Sequence, residues 1–302
     1  MGVIAVVLNA GSGSGGAEDA STVLETIFRE AGREVRITLA HSGEEIERAC
    51  RQAVDERCDA LVAGGGDGTI NAAASVAVGA DVPLGVLPLG TLNHFAKDLG
   101  IPADLEPAAR VVLAGRITAV DVGEVNGRIF LNNSSLGVYP SIVRLREQYQ
   151  EKGRGKWIAA AWAALAVLRR RPFLGVRIET PEETVVRRTP FVFVGNNEYR
   201  MIGLQAGTRD SLTEGRLALY VMRAESRRGL LRLGLSVFWR GADKADELDL
   251  FRVPSASIET RRHHLQVALD GEVFVLEGPL EYRVRPGALR VLTPEPGHDR
   301  DG

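Results

Sequence analysis

"VAGGGDGTINAAASVA", residues 62–77, holds three glycines in a row, then a carboxylate, a fourth glycine, a hydroxyl and an amide. Such a run cannot pack a core. It suits a strand that ends in bare backbone and hands the chain to a helix. The residues leading into it, "DALVAGGG" (59–66), read as a strand, and 70–79 as the helix. Upstream, "VIAVVL" (3–8) is a continuous apolar run, the pattern of a strand covered on both faces, and it ends at Asn9 and glycines. Between them, Val23, Leu24, Ile27 and Phe28 space a helix from Glu18 to Gly32, and Gly32 ends it. "EVRITLA" (34–40) gives another strand, and residues 43–57 a charged helix with Ile46, Ala49, Cys50 and Ala53 on one side. Downstream, "PLGVLPLGT" (83–91) is a strand ending in a second Gly-Thr turn.

This alternation of strand and helix predicts a Rossmann-like parallel α/β domain with helices on both faces. After about residue 120 the pattern changes. "AVDVGEVNGRIFLNNSSLGV" (119–138) carries a hairpin signal at Asn126-Gly127. Further strand candidates are "GVRIET", "RTPFVFVGNN", "GRLALYVM", "ASIETR", "LQVALDGEVF" and "LEYRVRP", interrupted by helices near 153–170 and 226–240. The expected organisation is an α/β domain over 1–122, completed by 289–302, and a mainly antiparallel β-sandwich domain over 123–288.

A formal net charge of −2 gives no basic excess, which argues against a nucleic-acid partner. Cys50 and Cys58 make no disulfide framework and read as buried or half-buried thiols in a reducing compartment. The start, "MGVIAVVLNAGSG", has no signal-peptide pattern. "WIAAAWAALAVL" (157–168) is shorter than the ~20 residues a bilayer span needs. A helix apolar on every face reads as buried; the alternative is a lipid-entry element with Arg169–Arg171 at anionic head groups.

Ligands of open parallel sheets sit beyond the carboxyl ends of the strands. Three loops leave such ends: "NAGSGSGG" (9–16), "GGGDGTIN" (64–71) and "PLGTLNHF" (88–95). Each joins glycine to hydroxyl or amide side chains. Glycine lets backbone N–H groups approach phosphate oxygens, and a following helix points its positive end at them. None of the three matches G-x-x-x-x-G-K-[ST], and the first has the wrong last spacing for G-x-G-x-x-G. Any one alone fits a tight strand-to-helix turn.

"GGGDGTIN", "PLGTLNHFAKDLGIP" and "LDGEVF" together resemble the diacylglycerol kinase catalytic family, in its bacterial lipid kinase branch, which shares a fold with NAD kinases. The resemblance covers nearly the whole chain. It implies that ATP is held by Asn9, Ala10, Gly11, Ser12 and Gly13, where Ala10 replaces the family's proline. It also implies contacts from Gly65, Gly66, Asp67, Gly68, Thr69, Ile70 and Asn71, and from Thr91 and Asn93. Asp67 is expected to orient metal or phosphate and counts among the catalytic residues. A threonine that the family uses in the second strand-helix loop is here Leu39, beside Thr38.

Phosphoryl transfer to an alcohol needs a base for the hydroxyl proton and cations for the phosphate charge. "ALDGEVF" (268–274) places Asp270 and Glu272 about a glycine. By itself this is equally a hairpin turn with solvent-exposed acids. The resemblance makes Glu272 the general base, with Asp270 in support. On an extended segment both carboxylates would point to one side and raise one pKa. The resemblance also implies a Mg²⁺ turn at "SLTEGRLALYV" (211–221), with Glu214 and the carbonyls of Ser211 and Arg216 as ligands. Two family aspartates are absent: Glu214 stands for one in this turn, and His94 for the other in the Asn-Asp pair after Gly-Thr, here Asn93-His94.

The expected activity is that of a cytoplasmic, peripherally membrane-associated lipid kinase. It would use ATP and Mg²⁺ to phosphorylate a diacylglycerol-like lipid at the membrane surface, and a homodimer is compatible with it. The alternatives are an NAD kinase-like enzyme, against which stands the lack of a second Asn-Glu nucleotide loop, and a catalytically weak nucleotide- or lipid-binding protein.

Overall fold

The computed structural model describes residues 2–11, 16–137, 173–202, 205–223 and 248–295. The helices expected near 153–170 and 226–240, the tail beyond 295, and Ser12 and Gly13 lie outside the described residues. The chain divides into two compact units. The first is Met1–Val122 with Ser211–Glu214 and Arg285–Gly302; the second is Gly123–Asp210 with Gly215–Val284. Ser211–Glu214 thus joins the first unit, and the C-terminal return begins at Arg285 instead of 289.

The first unit is built on parallel strands β1 (Ile4–Asn9), β2 (Val35–Ala40), β3 (Ala60–Gly65) and β4 (Leu84–Pro88), in the order β2-β1-β3-β4. The C-terminal end of β18 (Leu280–Leu292) lies parallel to β4, with Val291 opposite Leu84. Every residue of β3 and β4 is buried, as continuous apolar runs predict, whereas β2 at the sheet edge alternates with exposed positions. Helices α1 (Gly16–Glu30), α2 (Gly43–Asp55) and α3 (Asp67–Ala80) connect these strands. α1 buries Ala20, Leu24 and Phe28 along one face, and burial of Leu24 and Phe28 stabilises by roughly 1.5–3 kcal/mol each. α2 starts at Ser42, whose hydroxyl accepts the Glu45 N–H, and buries Ile46, Cys50 and Ala53. Cys50 is buried and Cys58 half-buried, both free thiols, and burial pushes the Cys50 thiol up to about 12.

Two helices were not anticipated: α4 (His94–Asp98) and α5 (Leu105–Ala114). α5 follows Asp104 at its N-cap, ends at Gly115 with φ 68°, and buries Ala108, Ala109, Val111 and Val112. Its signals lie in plain view, but Pro107 and a valine pair mask the helical period.

The strand order sets the site. From β1 the chain passes through α1 to β2 on one side, then through α2 to β3 on the other. The sheet's topological switch point therefore falls between the carboxyl ends of β1 and β3.

β5 (Ile117–Val125) carries the chain into the second unit and turns into β6 (Arg128–Phe130) at Asn126-Gly127, with φ of 46° and 80°. Two left-handed central residues make the type I′ turn that this dipeptide favours. One layer of the second unit is a six-stranded antiparallel sheet. Its order is β14 (Leu248–Val253), β13 (Leu217–Met222), β10 (Phe191–Asn196), β7 (Asn133–Gly137), β16 (His264–Leu269) and β17 (Glu272–Glu277). The other layer joins β9 (Thr184–Thr189), β8 (Leu174–Glu179), β15 (Ser255–Thr260) and the first part of β18, again antiparallel. Leu136, Val192, Val194 and Leu219 from one sheet pack with Val176, Ile178, Ile258 and Tyr282 from the other, so this unit is a β-sandwich. Phe193, Tyr199, Ala218 and Tyr220 form a second cluster from the opposite faces of β10 and β13. Burial on both faces explains why "PFVFVGNN" and "LALYVM" do not alternate. Tyr199 opens a short hairpin of β11 (Tyr199–Ile202) and β12 (Gln205–Arg209).

Candidate active site

In the first unit the loops after β1, β3 and β4 converge. Asn9 Nδ2 donates to Thr69 Oγ1 at 3.0 Å, and Asn9 Oδ1 accepts the Gly11 N–H at 2.9 Å. The carboxamide thus shapes its own loop and ties it to the first turn of α3 across the switch point. Asp67 opens α3, is half-buried, and its Oδ1 accepts the Phe95 N–H at 3.4 Å. It is a first-turn helix residue, not an exposed loop acid. A Cβ on Gly90 would lie 2.4 Å from Gly66 Cα, so the second and third loops touch backbone to backbone.

Several of the residues expected at the nucleotide have structural roles. Gly65 is buried, and a Cβ there would lie 2.5 Å from Thr69 Oγ1; its glycine serves close packing. Ile70 is 3% exposed and belongs to the core. Thr69 is buried with its hydroxyl on Asn9. Asn93, at φ 49°, accepts the Gly90 N–H at 3.1 Å and donates to Pro88 O and Gly90 O at 3.1 and 2.7 Å, so it forms its loop. Thr91 and Gly11 are exposed, while Ala10, Gly66, Gly68 and Asn71 are half-buried. Gly66 is the N-cap of α3 and offers no side chain there, which leaves the helix's first N–H groups and its positive end to an anion.

In the second unit β16 and β17 form a hairpin closed by Asp270 and Gly271, with φ of 46° and 91°. Asp270 is therefore a turn residue rather than part of an extended segment, which corrects the expected same-side geometry. Its carboxylate accepts three successive main-chain N–H groups: Leu131 at 2.7 Å, Asn132 at 2.8 Å and Asn133 at 2.9 Å. That grip makes it an anchor for the turn. Glu272 follows as the first residue of β17, exposed over the residue as a whole although its carboxyl is partly desolvated. Partial burial of its carboxyl, and next the charge of Asp270, hold it above the usual glutamate range.

The residues of the expected metal turn are divided between the two units. Ser211 and Glu214 belong to the first unit and Arg216 to the second. The Arg216 carbonyl accepts the Asn197 N–H at 3.1 Å, and Ser211 Oγ accepts the Thr213 N–H at 3.2 Å. Among the described residues no group of three or more His, Cys, Asp or Glu stands together, and a site of one carboxylate with two main-chain carbonyls would need none.

Sequence reasoning missed Arg209, which is 5% exposed and donates to Leu131 O, Asn132 Oδ1 and Asn196 O at 2.6, 2.8 and 3.0 Å. Only its sequence company, "GTRD", was visible, and that carries no pattern. Gly90 was read as part of a phosphate loop, but its contact with Gly66 needs the fold.

Comparison with known proteins gives matches along both units. A model of the diacylglycerol kinase catalytic domain matches residues 3–125, and one of the YegS C-terminal NAD kinase beta sandwich-like domain matches 137–293. A "Diacylglycerol kinase" of Mycobacterium tuberculosis is 29% identical over 98% of this chain and 97% of its own. A Pseudomonas aeruginosa protein named "Probable lipid kinase YegS-like" is 32% identical over 88% of this chain and 87% of its own. Among solved structures, a diacylglycerol kinase from Bacillus anthracis shares the fold at a TM-score of 0.70, with 19% identity over 96% of both chains. With a parallel α/β unit whose glycine loops meet at the switch point and a β-sandwich carrying the Asp-Gly-Glu turn, the chain belongs to the diacylglycerol kinase family of YegS-like lipid kinases.

Proposed function

We propose that the protein transfers the γ-phosphoryl group of Mg-ATP to the hydroxyl of a diacylglycerol-like lipid at a membrane surface, working from the cytoplasm. The observation that carries this reading is the convergence of three loops at the switch point, beside the uncapped N-terminus of α3. Backbone N–H groups and a helix dipole there suit phosphate oxygens. Of the loop residues, Gly11 and Thr91 are exposed and Gly66 and Gly68 half-buried, which leaves them within a nucleotide's reach. Asp67, in the first turn of α3, is the carboxylate suited to orient a nucleotide-bound Mg²⁺, which would supply screening of the β- and γ-phosphate charge.

Glu272 acts as general base. It takes the proton as the lipid oxygen bonds to phosphorus and the bond to the ADP oxygen breaks. A carboxyl held above its ordinary range binds that proton better, which suits a base working near neutral pH. Asp270 fixes the turn that presents Glu272. Among the described residues no helix is long and apolar enough to cross a membrane. The names of the relatives support diacylglycerol as the acceptor class.

The test is to incubate the protein with γ-labelled ATP and vesicles of separated lipid classes. Label should enter diacylglycerol. Label entering NAD instead, or ATP binding without transfer to any lipid, would favour the NAD kinase-like or the non-catalytic reading.

A further inference from the structure

The peptide unit joining Leu131 and Asn132 is held between opposite charges. Its carbonyl, on Leu131, accepts Arg209 Nη1 at 2.6 Å; its N–H, on Asn132, donates to Asp270 Oδ1 at 2.8 Å. The same clamp continues on either side. Arg209 Nη2 donates to Asn132 Oδ1 at 2.8 Å, and the Asn132 carbonyl accepts the Asn196 N–H at 2.9 Å. Asn196 Nδ2 adds a 2.9 Å bond to Leu131 O. On the amide side, Leu131 and Asn133 complete the grip on Asp270, whose own N–H returns to Asn133 O at 2.9 Å. The loop between β6 and β7 is thus fixed from its carbonyl side by Arg209 and Asn196, and it fixes Asp270 from its amide side.

Arg209, Asn132 and Asn196 are all buried, and the guanidinium also lies 5.2 Å from the centre of the Tyr199 ring. A cation buried there is a costly choice for a strand residue that an apolar side chain could replace. Its planar fork explains the choice, because it addresses two acceptors on adjacent residues in a fixed geometry. A dipole aligned between a cation and an anion is favoured in one orientation only. That orientation is the one that offers three N–H groups to Asp270.

We infer that Arg209 is a positioning residue for the kinase reaction: through the Leu131–Asn133 loop and Asp270 it sets the hairpin turn on which Glu272 stands. The inference rests on Glu272 being the general base. Arg209 touches no reacting atom. Its loss loosens the loop, releases Asp270 from its left-handed turn geometry, and leaves Glu272 misaligned with the hydroxyl. Misplacement of a catalytic group by about 1 Å costs on the order of 10²-fold in rate.

The experiment is a double-mutant cycle with Arg209→Met and Glu272→Gln, reading kcat and the KM for Mg-ATP, with folding checked by thermal unfolding. Arg209→Met alone should lower kcat by about 10²-fold and leave the KM for Mg-ATP within about 2-fold. Added to Glu272→Gln it should change kcat by less than about 2-fold, since both act on one step. Equal losses in the two backgrounds, or a folded Arg209→Met enzyme with wild-type kcat, would overturn the inference while leaving the base assignment in place. If Arg209→Met does not fold, Asn132→Ala removes one acceptor of the fork and enters the same cycle with the same criteria. Wild-type kcat in Glu272→Gln alone would remove the base assignment and this inference with it.

Discussion

Gly90 and Gly66 stand so close that a Cβ on Gly90 would lie 2.4 Å from Gly66 Cα and 3.1 Å from Gly66 N. Both obstacles are backbone and cannot rotate away. The reverse substitution is different, because a Cβ on Gly66 would meet Gly90 Cα at an ordinary 3.7 Å. Gly90→Ala should therefore cost about 1–3 kcal/mol of stability and raise the KM for Mg-ATP by pushing the loops apart. Gly66→Ala should cost about 1 kcal/mol or less, the difference between alanine and glycine at an N-cap. Unfolding and ATP kinetics on the two variants check this; equal destabilisation would mean that the loops do not meet as described.

The raised pKa of Glu272 makes stability depend on pH in a stated direction. Its proton is held more tightly in the folded chain than in the unfolded one. Its contribution is therefore fully present below the ordinary glutamate range and is lost as pH rises through the raised value. Glu272→Gln has no such dependence. Relative to wild type, that variant should gain stability as pH rises across this window and hold the gain above it. Paired melting curves over the acid range measure the difference, and a difference of the opposite slope would show that the carboxylate, not the acid, is favoured in the fold.

Removing divalent metal should separate catalysis from folding. Glu214 and His94 stand where the resemblance expects aspartates, and among the described residues no acidic cluster completes a metal site. A chelator should stop phosphoryl transfer by stripping Mg²⁺ from ATP. It should also move the melting temperature by less than about 2 °C, the scale of under 1 kcal/mol for a domain of this size. A large fall in melting temperature would reveal a resident structural ion.

The parts of the fold legible in sequence are those where one residue pattern meets one environment. β1, β3 and β4 read as strands because strands buried on both faces are apolar throughout. Asn126-Gly127 and Asp270-Gly271 read as turns because left-handed backbone selects those residues. α5 escaped because its Pro107 and valines mimic other states, although Asp104 and Gly115 mark its ends. In the site, the loops were legible but the division of labour within them was not. Asn9, Thr69 and Asn93 look like ligands in sequence, yet their polar atoms bond to the protein itself. Arg209 was invisible because its acceptors Leu131 and Asn132 lie 78 and 77 residues away. Long-range partners of a lone arginine leave no local trace.

The central claim, that Glu272 is the base of a lipid kinase, is tested most directly by the rate of label transfer from γ-labelled ATP to diacylglycerol in Glu272→Gln. The substitution keeps the side chain's shape and removes its basicity. Loss of a general base lowers kcat by roughly 10²- to 10⁴-fold. The account predicts a fall of that order with the KM for Mg-ATP nearly unchanged, because the phosphate loops belong to the first unit and Glu272 to the second. A wild-type kcat accompanied by a raised KM for Mg-ATP would contradict it and make Glu272 a nucleotide or metal ligand.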